Sequence, residues 1–173
     1  CALPICLPLL RAKPCPGDIV RYDDPRDKRL RSSIWLSTPE MSWVVDTGPD
    51  FRTQCLRAGV KHLDAVLITH PHTDHIMGFD DLRRFTFGEN EIMPVYASAE
   101  TMEALRRVYD FAFNGNNRYA GYLKPEPKEV SGPFVIGATT ITPLPVDHGR
   151  VMTTGFLFQH RGGARIAYLP DCK

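Results

Sequence analysis

A chain of 173 residues that is 43% hydrophobic can bury one core, and neither its length nor its punctuation calls for two independent domains. Its 21 basic residues nearly balance 20 acidic ones, which excludes a global field drawing it to nucleic acid or to an anionic lipid surface. Five cysteines (Cys1, Cys6, Cys15, Cys55 and Cys172) form no CxxC pair, so a reducing, cytoplasmic setting is expected rather than a disulfide framework.

Residues 1–10 are apolar but interrupted by Pro4 and Pro8, with no basic stretch ahead of them. They make a poor signal peptide, are far too short to span a bilayer, and no membrane span is expected elsewhere. Because the chain opens on Cys and stops at Lys173 just after a strand-like run, a truncated product is expected. Residues 11–31 are turn-rich and charged, a surface loop. Ser33 to Ser37 and Ser42 to Asp46 flank a turn at residues 38–41 and predict a β-hairpin. Phe51, Cys55 and Ala58 recur at helical spacing, with Gly59 as the stop. Asp64 to Thr69 is a continuous apolar run, as in a strand buried on both faces. Ser98 is a candidate N-cap for a helix carrying Met102, Leu105 and Tyr109 on one side, read as scaffold. Residues 114–133 are rich in Gly, Pro and Asn and are expected to form a long loop. Residues 134–136, 139–144, 154–160 and 165–169 read as strands, with a tight turn at Gly162-Gly163. The fold class is therefore α/β, a layered architecture on a mixed sheet.

The chemistry-bearing cluster, His70-x-His72-x-Asp74-His75, starts where the 64–69 strand ends. An extended chain projects alternate residues to one side, so His70 and His72 can share a metal ion. After the chain turns, Asp74 and His75 can aim their donors at a second. Imidazole nitrogen and carboxylate oxygen suit zinc, and manganese or iron accept the same set. A single histidine at a strand end is ordinarily surface decoration, but three histidines and an aspartate within six residues are not readily explained that way. His148 ends another apolar strand and can complete the first shell. Asp171, just past the last strand, can bridge two cations, although turn or helix-cap aspartates also stand in such places. Asp46 is expected to orient a ligand from behind rather than to bind metal.

The run from Ile68 through His70-Pro-His-Thr-Asp-His75 to Arg83 carries the HxHxDH signature and resembles the metallo-β-lactamase superfamily, most closely its cyclic-phosphodiesterase branch related to the carbon-phosphorus lyase pathway. Pro25 to Ser33, Asp46-Thr-Gly-Pro-Asp50, Val146-Asp-His-Gly149 and Tyr168-Leu-Pro-Asp171 follow in the same order, so the resemblance covers roughly residues 25–173. It implies a metallo-β-lactamase αβ/βα sandwich with its second half truncated, made by residues 15–173 after an atypical or artefactual segment 1–14. It further implies that His70, His72 and His148 hold one metal, Asp74 and His75 the other, and Asp171 bridges them. Two departures stand out. The family's later histidine would lie beyond residue 173, and its early glycine-rich strand and close-spaced cysteine cluster are reduced here to Cys15.

Two divalent ions (Zn2+ or Mn2+) about 3.5–4 Å apart would hold and acidify a bridging water, making a hydroxide the nucleophile. Asp74 is placed to ligate a metal and orient that water, as a catalytic residue. The absence of a GxSxG signature agrees with a mechanism that needs no serine. The leading expectation is a phosphodiesterase acting on a small cyclic or nucleotide-like phosphate ester. Arg29, Arg31, Arg83 or Arg84 are candidates to clamp the phosphate, each weighed against an ordinary solvated charge. Thioester hydrolysis, RNA 3′-end processing and a non-catalytic metal-binding accessory role are the alternatives; the neutral chain lacks a basic RNA-gripping arm, so nucleic acid is not the expected partner. A homodimer is compatible with the sequence, and the isolated fragment is expected to be weakly active or inactive.

Overall fold

The computed structural model describes residues 29–86, 92–115, 121–163 and 165–172. The expectations for residues 1–14, for Cys15 and for most of the charged loop up to residue 28 lie outside the described residues. The predicted hairpin is present: β1 (Ile34–Ser37) runs antiparallel to β2 (Ser42–Val45), closed by Thr38, whose N–H donates to the Met41 carbonyl at 2.8 Å. Helix α1 (Phe51–Ala58) follows and ends on Gly59 at φ 67°, a left-handed turn open to glycine at no steric cost. Strand β3 (Ala65–Leu67) then enters parallel to β2.

The histidine segment leads into a single turn, α2 (Thr73–Ile76), and a 3-10 helix (Phe79–Phe85). Strand β4 (Met93–Ala97) precedes α3 (Ala99–Val108), whose N-cap Ser98 accepts from the Thr101 N–H, and a short α4 (Asp110–Phe113). Strand β5 (Pro125–Glu129) completes a five-stranded sheet in the order β1-β2-β3-β4-β5. The second sheet is an antiparallel meander of β6 (Phe134–Ile136), β7 (Thr139–His148), β8 (Val151–His160) and β9 (Arg165–Tyr168).

Two strand expectations are corrected. The stretch 114–133 is not loop throughout, because β5 lies within it. Proline removes a ladder donor, yet β5 is the edge of its sheet. Val130 donates its N–H to Ala97, so at period two the nitrogens of Pro125 and Pro127 fall on the side away from β4. Strands β7 and β8 also exceed the predicted 139–144 and 154–160, pairing without a break from Thr139↔His160 to His148↔Val151. Beyond Ile141, β7 has no partner in β6, so Pro143 and Pro145 border an open edge that tolerates them.

Alternation in β2 and β3 organises the core. Val44 and Val66 face the helices and pack with Phe51, Ile76, Phe79, Leu82, Met102 and Leu105. Trp43, Val45, Ala65 and Leu67 face the second sheet and pack with Ile141, Phe156, Phe158 and Tyr168. Residues 65–69 of the predicted run are thus buried on both faces, as the run's apolarity predicts. The layers are helices, mixed sheet and antiparallel sheet, in the order that the resemblance implies; among the described residues no helix covers the outer face of the second sheet. No helix of the described residues is long and apolar enough to cross a membrane.

Candidate metal centre

All the chemistry collects at one end of the layers, where β2, β3, β7 and β9 finish. Past β3 the backbone stays extended, held by the Ile68 N–H on Tyr96 and the Thr154 N–H on Thr69, and delivers His70 and His72 together. Their Nε2 and Nδ1 atoms lie 3.0 Å apart. The chain then winds into α2, which brings Asp74 and His75 around. Close packing here depends on two glycines: a Cβ on Gly48 would overlap the Asp74 carbonyl, and one on Gly78 the Gly48 carbonyl. The Thr47 N–H donates to His75 and the Gly78 N–H to Thr47, each at 2.8 Å, so the loop after β2 and the motif helix are locked together.

His148, the last residue of β7, and Asp171, just past β9, arrive from the second sheet. Asp171 Oδ2 stands 3.2 Å from His75 Nε2, 3.7 Å from His70 Nε2 and 3.8 Å from His148 Nε2. Two donor groups result, each with ligand atoms within 4.8 Å of one another: His70, His72, His148 and Asp171, and Asp74, His75 and Asp171. Asp171 is common to both. Asp74 Oδ2 lies 3.8 Å from His75 Nε2.

Asp46 lies behind this array, fully buried at φ 64°. Its carboxylate accepts the Thr69 N–H at 2.9 Å, the Thr69 hydroxyl at 2.9 Å and His75 Nδ1 at 2.8 Å. A carboxylate only accepts, so the Thr69 hydroxyl is the donor, and its oxygen is left to accept from His70 Nδ1 at 3.0 Å. One carboxylate thereby fixes which nitrogen is bare on a histidine of each group: Nε2 of His75 directly, and Nε2 of His70 through Thr69. Thr69 was not among the sequence candidates; its only signal there is a hydroxyl immediately before the first histidine.

Electrostatics divide the two buried imidazoles. Burial above all, then the neighbouring His75 and His72, lowers the His70 pKa to about 4, so at neutral pH His70 is the neutral ring that a metal requires. Burial also opposes charge on His75, but the hydrogen bond and charge of Asp46, with Asp171 and Asp74, outweigh it and raise its pKa. Imidazole nitrogens and carboxylate oxygens converging with their lone pairs inward are the donors that zinc or manganese accepts, and the residues fit such ions.

The four candidate arginines part company. Arg31 Nη1 lies 3.6 Å from Asp74 Oδ2. Arg83 instead pairs with Asp80 at 3.4 Å, on the 3-10 helix it shares with Arg84. Arg84 and Arg29 are both exposed, Arg29 at the start of the described chain.

Residues 43–173 match the family model described as a beta-lactamase superfamily domain. The chain is 35% identical over 162 residues to an octanoyltransferase of Porphyromonas gingivalis, covering 92% of this chain but 31% of that protein. It is 31% identical over 157 residues to a ribonuclease Z of Bradyrhizobium diazoefficiens, covering 85% of this chain and 49% of the enzyme. Among solved structures, a diphosphatase from the PhnP family superposes with a TM-score of 0.68 at 34% identity, over 79% of this chain and 52% of that one. The chain thus spans from 31% to 52% of the length of these relatives.

Proposed function

This chain belongs to the beta-lactamase superfamily domain family, on the branch that includes the PhnP-family diphosphatase, and from that premise we propose that it is the metal-binding part of a hydrolase that cleaves phosphodiesters of small, nucleotide-like molecules. The observation that carries the reading is the pair of donor groups sharing Asp171. His70, His72 and His148 would hold one divalent cation and Asp74 and His75 the other, with Asp171 between them. Such ions, when bound, acidify water and offset charge on the ester oxygens. The chain's own residues do the rest. Asp74 accepts a hydrogen bond from the attacking water and so sets its direction. Asp46 keeps the His75 Nδ1 proton engaged, leaving Nε2 turned to the reaction space. Asp171, 34% exposed, stands at the solvent boundary where an ester can approach.

A ribonuclease Z activity is the second reading, favoured by the identity to that enzyme. Against it stands the near-even charge of the chain, 21 basic against 20 acidic residues, which gives an RNA backbone no net attraction. The discriminating experiment loads a full-length form of the protein with Zn2+ or Mn2+ and follows bis-p-nitrophenyl phosphate, a thioester and a pre-tRNA side by side, with His72→Ala as control. Diester cleavage that falls by two or more orders of magnitude in His72→Ala is the expected result. Pre-tRNA or thioester turnover without diester cleavage would reassign the substrate, and activity unchanged in the variant would defeat the metal-dependent mechanism.

A further inference from the structure

We infer that Arg31 is the anion-binding residue of this site, holding a non-bridging phosphate oxygen of the substrate beside Asp74; this rests on the phosphodiester reading above. Its position is built by other residues. The Arg31 N–H donates to Asp50 Oδ2 at 2.8 Å, and its carbonyl accepts from Gln54 Nε2 at 2.6 Å, so side chains from the start of α1 hold both of its main-chain groups. Two residues on, the Ser33 hydroxyl donates to the Asp46 carbonyl at 2.9 Å. Arg31 packs closely on Gly48: a Cβ there would lie 3.3 Å from the Arg31 Cβ, a tight contact. These bonds fix the backbone from which the Arg31 side chain leaves, beside the loop that follows β2.

Its side chain then lies along the outer side of Asp74. The 3.6 Å from Nη1 to Asp74 Oδ2 is an ion pair but too long for a hydrogen bond, and the side chain is 62% exposed, so the planar fork of N–H donors stays open on its solvent side. Asp74 holds that fork near the reaction space without consuming its donors. A guanidinium presents a planar fork of donors to phosphate oxygen, which an ammonium does not, so lysine is not an equivalent replacement at this position.

The test measures kcat and KM for bis-p-nitrophenyl phosphate, the inhibition constant of inorganic phosphate, and metal affinity by titration, in metal-loaded, full-length wild type, Arg31→Lys and Arg31→Ala. For Arg31→Ala we expect KM and the phosphate inhibition constant to rise about tenfold or more, with kcat within about threefold and metal affinity unchanged; Arg31→Lys, which keeps the charge, should recover only part of the loss. Unchanged KM and phosphate inhibition in Arg31→Ala would overturn the inference while leaving the phosphodiesterase reading standing. A fall in metal affinity with KM unmoved would overturn it too, making Arg31 a partner of Asp74 alone. A wild type that binds phosphate through Arg31 by calorimetry but cleaves no diester would support the anion site and defeat the proposed function. A wild type that does neither would defeat both.

Discussion

Asp46 Oδ2 lies 2.8 Å from His75 Nδ1, and the same carboxylate takes the Thr69 hydroxyl that in turn accepts from His70. The two donor groups therefore share a support as well as Asp171, and the support is asymmetric: direct to one histidine, relayed to the other.

That asymmetry separates two substitutions. Asp46→Asn removes the charge behind His75 and disturbs the relay, so metal affinity at both groups should fall, by about 10- to 100-fold. Thr69→Val keeps the shape and cuts only the relay, so the loss should be confined to the group containing His70, while Thr69→Ser restores it. Stepwise metal titration resolves the two; an equal loss at both groups in Thr69→Val would contradict the relay.

Tyr109 closes α3 and donates its hydroxyl to the Ile76 carbonyl at 2.6 Å, a buried bond from the helical layer to the turn that carries Asp74 and His75. Tyr109→Phe leaves that carbonyl without its partner and should lower unfolding stability by about 1–3 kcal/mol, measured by urea denaturation. A change within about 0.3 kcal/mol would show that water replaces the hydroxyl.

Cys55 gives a pH-dependent signature away from the metal centre. Burial first, then the Asp81 charge, pushes its thiol up to about 12 from 9.0. Only the thiolate alkylates, so at pH 8 Cys55 should react with iodoacetamide on the order of a thousandfold more slowly in the folded chain than in the unfolded one. Its rate should climb about tenfold per pH unit up to pH 12. Because the unfolded thiol ionises near 9 and the folded one near 12, this group's contribution to stability is complete below pH 9 and is lost as pH rises toward 12. Peptide mapping after a timed pulse reads the labelling, and rapid modification of Cys55 at pH 8 in the native protein would refute the burial argument.

Contiguity explains what could be read without coordinates. His70, His72, Asp74 and His75 occupy six positions of one segment, so their meeting follows from local geometry, and the apolar run before them needed only its own composition to be recognised as doubly buried. His148 and Asp171 were recognisable as strand ends, but their approach to His70 is set by the β7–β8 and β8–β9 registers, which no local pattern encodes. Strand β5 escaped notice because its prolines speak against a strand everywhere except at an edge, and edges are a property of the assembled sheet. Thr69 and Tyr109 act through long-range hydrogen bonds whose partners lie 23 and 33 positions away. Arg31 could be placed in a group of four arginines, but only folding singled it out.

Asp46 at φ 64° and Asp171 at φ 39° both stand in left-handed backbone, where a side chain other than Asn or Asp costs on the order of 1 kcal/mol or more. Glycine fits such backbone more freely still, but at 46 it would strand the Thr69 and His75 donors that the buried carboxylate accepts. A library of this chain ranked only by thermal tolerance should therefore keep aspartate at 46 and drift toward glycine at 171, a place where the layers would grow sturdier as their chemistry vanished. Durability and reactivity pull in opposite directions here at the level of a single backbone angle.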